Sequence, residues 1–270
     1  MNKLLYTLTC FTAIGFSGFA QNQESPYNFN WKRELVFSAG AGLVFAGGIV
    51  ARYQTRPFTT AQVNALNRFD NPGLDLSAIG KWNPKAATAS DVFLYASLSI
   101  PVFMMIHPKA RKDFLAVGFI YAEVALLTVG VTELAKNLVL RPRPYAYDSN
   151  VPMNVRTSKD ARQSFFSGHA SVTAALSFSS AKIFSDYSDN PTHKALVWTG
   201  AIILPAVTSY LRYEAGKHFP SDIIAGYLVG ASIGYLIPWL HRRKPLVKGM
   251  TWAPYSNARQ EIGLYANFRL

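Results

Sequence analysis

Apolar residues gather in six long blocks, 35–51, 91–106, 114–140, 168–184, 195–211 and 223–240, almost without the every-second-residue alternation of a half-buried strand. The pattern predicts six mostly apolar helices, several of them close to the roughly 20 residues that cross a bilayer. Their fit to a membrane differs. The third block carries Glu123 and Glu133, the second is short and holds Pro101, and the fourth is rich in Ser and Thr. The fifth and sixth make the most convincing spans. Residues 52–90 contain Pro57, Pro72, Pro84 and an expected short helix at 60–68, so they read as a structured connection. Residues 141–163 are polar and hold Arg141, Arg143, Arg156, Lys159 and Arg162, more cations than a connector of that length needs. The expected fold class is all-α, a bundle of about six mostly apolar helices embedded in a membrane. One helical domain is expected over 21–240, followed by a basic tail, 241–270, whose weak alternation at 261–270 fits a short strand or disorder.

Ahead of the blocks, residues 1–20 have the form of a secretory signal: Lys3, an apolar stretch, and the small residues Gly18 and Ala20 before Gln21. An uncleaved first membrane helix is the alternative. The single cysteine, Cys10, excludes an intramolecular disulfide and a cysteine-built metal site. A net charge of +12 invites a nucleic-acid reading. The basic residues, however, cluster at the ends of apolar blocks and in one loop instead of forming a run with aromatics, so no nucleic-acid partner is expected. Cations so placed mark cytoplasmic helix ends or a site for an anion. Lys109, Arg111 and Lys112, with Arg242, Arg243, Lys244 and Lys248, assign their ends to the cytoplasm. The loops after Lys136 and after Arg212 then share the outer face. A cleaved signal would give the opposite count if every block crosses, so the two signals conflict.

Three segments carry chemistry. Six residues separate Lys136 from Arg143-Pro144; Ser167-Gly168-His169 opens the fourth block; and five residues separate Arg212 from His218, with Asp222 four further on. Phosphoryl transfer is catalysed mainly by positioning and by cations around the phosphoryl oxygens. Lys136, Arg143 and Arg212 can supply those cations, Pro142 and Pro144 ending the helix so that Arg143 can turn back. Backbone N–H groups of Ser167 and Gly168 at a helix start can face an anion. A neutral His218 attacks through one ring nitrogen if the other carries the proton, and a carboxylate such as Asp222 accepting that N–H would hold the tautomer. Each segment alone also fits a plainer role: a basic helix end, a serine N-cap, an aspartate cap after Pro220.

Together the segments resemble the type 2 phosphatidic acid phosphatase superfamily, which includes bacterial class A acid phosphatases and vanadium haloperoxidases. Lys136, Arg143 and Pro144 match its first motif, Ser167, Gly168 and His169 its second, and Arg212, His218 and Asp222 its third. Phe166 replaces a usual proline and Leu211 a usual serine, which bears on loop shape and substrate fit. The resemblance covers about 123–240. It implies a site at one end of the bundle in which His218 attacks phosphorus, Asp222 orients it and His169 protonates the leaving oxygen. Lys136, Arg143, Arg212 and the amides of Ser167 and Gly168 would hold the phosphoryl group. No metal and no cofactor is implied, and no HExxH run or Asp-rich cluster occurs. Glu123 and Glu133 are read as structural. The expected partners are a lipid phosphate and the membrane, with the site facing the periplasm from an inner membrane. Competing readings are a soluble periplasmic acid phosphatase, a haloperoxidase, and a non-enzymatic lipid- or anion-binding membrane protein.

Overall fold

The computed structural model describes residues 25–27, 29–243, 250–256 and 262–268; the expected signal at 1–20 lies outside them. All six expected helices form. They are α1 (Trp31–Gln54), α3 (Pro84–Ile106), α4 (Phe114–Val139), α6 (Gly168–Tyr187), α7 (Pro191–Glu214) and α8 (Pro220–Leu240), with the short α2 (Thr60–Asn64) and α5 (Met153–Arg156) in the connections. Two starts follow from capping: the Asn83 side chain accepts from Ala86 N with Pro84 next in line, and Asn190 accepts from Thr192 N and His193 N ahead of α7. The Asn83 cap starts α3 seven residues before the apolar block, at Pro84, inside the stretch read as connection. The expected helix at 60–68 is shorter than its polar pattern suggested: α2 ends at Asn64, and a separate 3₁₀ turn covers Arg68–Asp70. In the tail, β1 (Met250–Ser256) pairs antiparallel with β2 (Ile262–Phe268), so the weak alternation there is a strand.

Among the described residues, five segments, containing α1, α3, α4, α7 and α8, are long and apolar enough to cross a bilayer. The fourth block, α6, is not among them, and its position gives the reason. It is the central helix, packed on α3, α4, α7 and α8. Its Ser171, Thr173, Ser177, Ser179 and Ser180 are buried against protein instead of facing lipid. The outer helices invert this pattern: Leu43, Val50, Leu98, Val102, Ile202, Ile203 and Ile224 are exposed. Close approach between α6 and α8 depends on Gly226, Gly230 and Gly234. A Cβ at these positions would lie 2.5, 2.0 and 2.3 Å from the carbonyl oxygens of Ser167, Ser171 and Ala175. This stripe brings the start of α8 against the start of α6. The loop 141–163 folds over the same end as a cap, with Tyr145, Ala146, Val151 and Ala161 buried against Phe58, Leu66 and Trp82.

Candidate active site

The last turn of α4, the starts of α6 and α8, and the end of α7 meet under this cap. Helix α4 stops when Leu140 takes a left-handed conformation (φ 51°) and donates to Lys136 O. Arg141-Pro142-Arg143 then crosses back over the bundle. At the end of α7, Gly216 (φ 67°) turns the chain where a Cβ would collide with Lys81 O, and its carbonyl accepts from Tyr145 N. That turn delivers Lys217 and His218.

His218 is buried, and its two neighbours define its tautomer. Nδ1 lies 2.7 Å from Ser164 O, and Nε2 lies 3.1 Å from Arg143 Nη1. A carbonyl cannot donate and a guanidinium cannot accept, so Nδ1 carries the proton and Nε2 presents its lone pair. Burial, then the charges of Arg143, Arg212 and Lys136, hold the imidazole well below its usual range, keeping it neutral at physiological pH. The expected partner Asp222 is displaced from this role. Its Oδ2 lies 3.8 Å from Nδ1. That oxygen instead accepts from Ser164 Oγ and from Phe219 N at 2.9 Å, while Oδ1 accepts from Arg141 Nη1 at 2.6 Å. Asp222 thus fixes the Ser164 segment, whose carbonyl in turn orients His218.

The residues expected to hold a phosphoryl group are also brought together, with one correction. The Ser167 N–H donates to Asp222 O at 3.0 Å, and its Oγ caps α6 through Ala170 N. It is therefore Gly168 and His169 whose N–H groups stand open in the first turn of α6. Lys136 Nζ lies against Gly168, where a Cβ would sit 3.2 Å from it, and it has no hydrogen-bond partner among the described residues. Arg212 donates to Ser90 Oγ and Asp91 Oδ1, while its buried Nε is left without a partner. Besides His218 Nε2, Arg143 donates to Asp160 O (2.8 Å), Asp160 Oδ1 (2.7 Å) and Lys217 O (2.8 Å).

Several participants were missed by sequence reasoning. Asp91 on α3 accepts from His169 Nε2 at 2.7 Å and so orients that ring. It is the lone acidic residue of α3, and that isolation in an apolar helix was the available signal. Asp160 balances Arg143 and Lys217; burial raises its carboxyl, but Arg143, Lys217 and Lys136 together hold it well below the usual range. Burial and Arg143 lower Lys217. Arg141 bridges Asp75 and Asp222, each at 2.6 Å, and Asp75 also accepts from Ser221. Chemically, the pocket offers a neutral, oriented imidazole, a second imidazole on a carboxylate, and cationic and amide donors lacking acceptors. Such a set suits a tetrahedral oxyanion attacked in line.

Residues 117–245 match the family model described as PAP2 superfamily. The undecaprenyl-diphosphatase of Sulfolobus acidocaldarius is 24% identical over 154 residues, which cover 57% of this chain and 68% of that relative. Among solved structures, a transmembrane PAP2 type phosphatidylglycerolphosphate phosphatase from Bacillus subtilis aligns with 77% of this chain and 92% of its own, at 16% identity and a TM-score of 0.41.

Proposed function

We propose that this chain, a phosphatase of the PAP2 superfamily through residues 117–245, hydrolyses a phosphorylated membrane lipid by way of a phosphohistidine at His218, with no metal at the reacting phosphate. The observation that carries the reading is the unprotonated Nε2 of His218, which accepts from Arg143 Nη1 at 3.1 Å within the field of Arg212 and Lys136. Nε2 attacks phosphorus and the P–O bond to the lipid breaks. The departing oxygen takes a proton from the imidazolium form of His169, which Asp91 supports against the burial and the Arg212 charge that lower its pKa. Water then attacks the phosphorus on His218, returns a proton to His169 and releases phosphate. Lys136, Arg143, Arg212 and the open amides of Gly168 and His169 hold the phosphoryl oxygens, which is the charge neutralisation that a metal supplies in other phosphatases. Asp222 and Ser167 act through the backbone they fix.

A lipid substrate is supported by the membrane-spanning helices and by an apolar groove of about 560 Å³ between α7 and α8. Leu74, Ala206, Tyr210, Ile223, Ile224 and Leu228 line it, Ile223 directly following Asp222 in the sequence. The relative's name makes a polyprenyl diphosphate the first substrate to try. The site is proposed to face the periplasm. The test is phosphate release by the purified chain in detergent with EDTA present, from lipid phosphates and p-nitrophenyl phosphate, beside His218→Ala. Release from lipid that is lost in the variant is expected. Equal turnover by His218→Ala would remove the phosphohistidine route, and turnover of the soluble ester alone would remove the lipid assignment.

A further inference from the structure

A second group of ionisable side chains lies at the far end of the bundle. Glu34 in the first turn of α1, Glu123 on α4 and His241 capping α8 bring three ligand atoms within 4.8 Å of one another. Glu123 and Lys136 are 13 residues apart on α4, about 20 Å at the rise of a helix, so this cluster is separate from the phosphatase site. All three side chains are buried, at 0, 1 and 1% exposure.

The arrangement has inner and outer layers. His241 Nε2 lies 2.7 Å from Glu34 Oε2 and 3.3 Å from Glu123 Oε2. Its Nδ1 donates to Ile237 O at 2.8 Å, which turns Nε2 inward. Each carboxylate spends its other oxygen on an outside partner: Glu34 Oε1 accepts from Arg33 at 2.6 Å, and Glu123 Oε1 from Ser38 Oγ at 2.9 Å. A single Nε2–H serves one carboxylate, and it points to Glu34. Glu123 Oε2 is therefore buried, aimed at the centre and accepts no hydrogen bond. A carboxylate oxygen buried without a partner has lost its hydration with nothing in return, which is costly.

We infer that Glu34, Glu123 and His241 form a binding site for a divalent transition-metal ion of the zinc type. One imidazole and two carboxylate oxygens are a ligand set for a borderline ion, leaving a fourth tetrahedral position for water. Ile237 O, Arg33 and Ser38 are the outer partners that such ligands require. The ion would give Glu123 Oε2 the partner it lacks and clamp α1 to α4 and α8. Its role is in holding the bundle, apart from turnover.

The test uses the full chain in detergent without a histidine tag, stripped by chelator and titrated with Co²⁺. Uptake of one equivalent with visible absorption bands of four- or five-coordinate Co²⁺ is expected, and Zn²⁺ should displace it and raise Tm. Glu123→Gln and His241→Gln should weaken uptake by at least about tenfold, while His218→Ala leaves it unchanged. Ser38→Ala keeps all three ligands and should cost about tenfold, so the test stands if a ligand variant fails to fold. No Co²⁺ retained by the folded parent, or retention equal in parent, Glu123→Gln and Ser38→Ala, would overturn the inference and leave a charge-paired histidine.

Discussion

At the level of single residues, His218 illustrates how two one-way hydrogen-bonding groups specify a tautomer: Ser164 O can only accept and Arg143 can only donate. The sign of the pH dependence follows. A nucleophilic imidazole must be neutral, and burial with the surrounding cations lowers its pKa, so the acid limb of kcat/KM set by His218 should fall below the ordinary histidine value of about 6.5. Arg143→Gln removes the leading charge, so that limb should move up toward 6.5 as kcat drops; a pH profile of parent and variant, using one substrate, checks this. A limb that does not move would remove Arg143 as the tuning charge. His169 should matter most for a poor leaving group. His169→Ala or Asp91→Asn is expected to slow an alkyl phosphate by about 10²- to 10⁴-fold and p-nitrophenyl phosphate far less, because the nitrophenolate leaves without a proton. Much of this site was legible because Lys, Arg and His at fixed spacings have few other reasons to occur together. What was hidden was the orienting acceptor, since a main-chain carbonyl such as Ser164 O leaves no trace in side-chain identity. Asp222 was legible as a participant but not in its role, because Arg141 lay outside the matched segments and draws the carboxylate away.

At the level of helices, apolar blocks located every long element, and errors arose where caps or neighbours decide. Asn83 and Pro84 extend α3 beyond its apolar stretch, and α6 tolerates its serines because protein surrounds it. The glycine stripe of α8 is a sharper sequence signal than hydropathy, as its four-residue period keeps one face of the helix bare. Two substitutions should separate close approach from helix propensity. Gly230→Leu puts a side chain where even a Cβ lies 2.0 Å from Ser171 O. It should cost about 3 kcal/mol or more and lower both Tm and folded yield in detergent. Gly200→Ala on α7 meets nothing within 4 Å. It should be neutral or add up to about 1 kcal/mol through helix propensity alone. Equal effects of the two would mean that α6 and α8 do not pack through this stripe.

At the level of the whole molecule, the six long helices alternate in direction, so that Tyr27, paired with Arg242, sits at the end opposite His218. A chain entering the periplasm after a cleaved signal and crossing six times would therefore hold the phosphatase site on the cytoplasmic side. The distribution of cations argues for the reverse. Lys109, Arg111 and Lys112 lie together in the α3–α4 connection at the far end, the short-loop setting in which basic residues act as cytoplasmic markers. At the site end, several cations are committed to the fold: Arg141 to Asp75 and Asp222, Arg143 to Asp160, and Lys81 to Glu214. The expected orientation therefore exposes the cap loop to the periplasm. Single cysteines placed in a Cys10→Ser background decide the matter, with Ser149→Cys in the exposed cap loop and Asp189→Cys in the exposed connection between α6 and α7. A membrane-impermeant maleimide added to intact spheroplasts should label Ser149→Cys and spare Asp189→Cys until the cells are lysed. The opposite pattern would place the site in the cytoplasm and restore the signal reading, because the bundle then begins outside. Both variants keep the residues of the site, so their phosphate release reports that the labelled protein is the folded one.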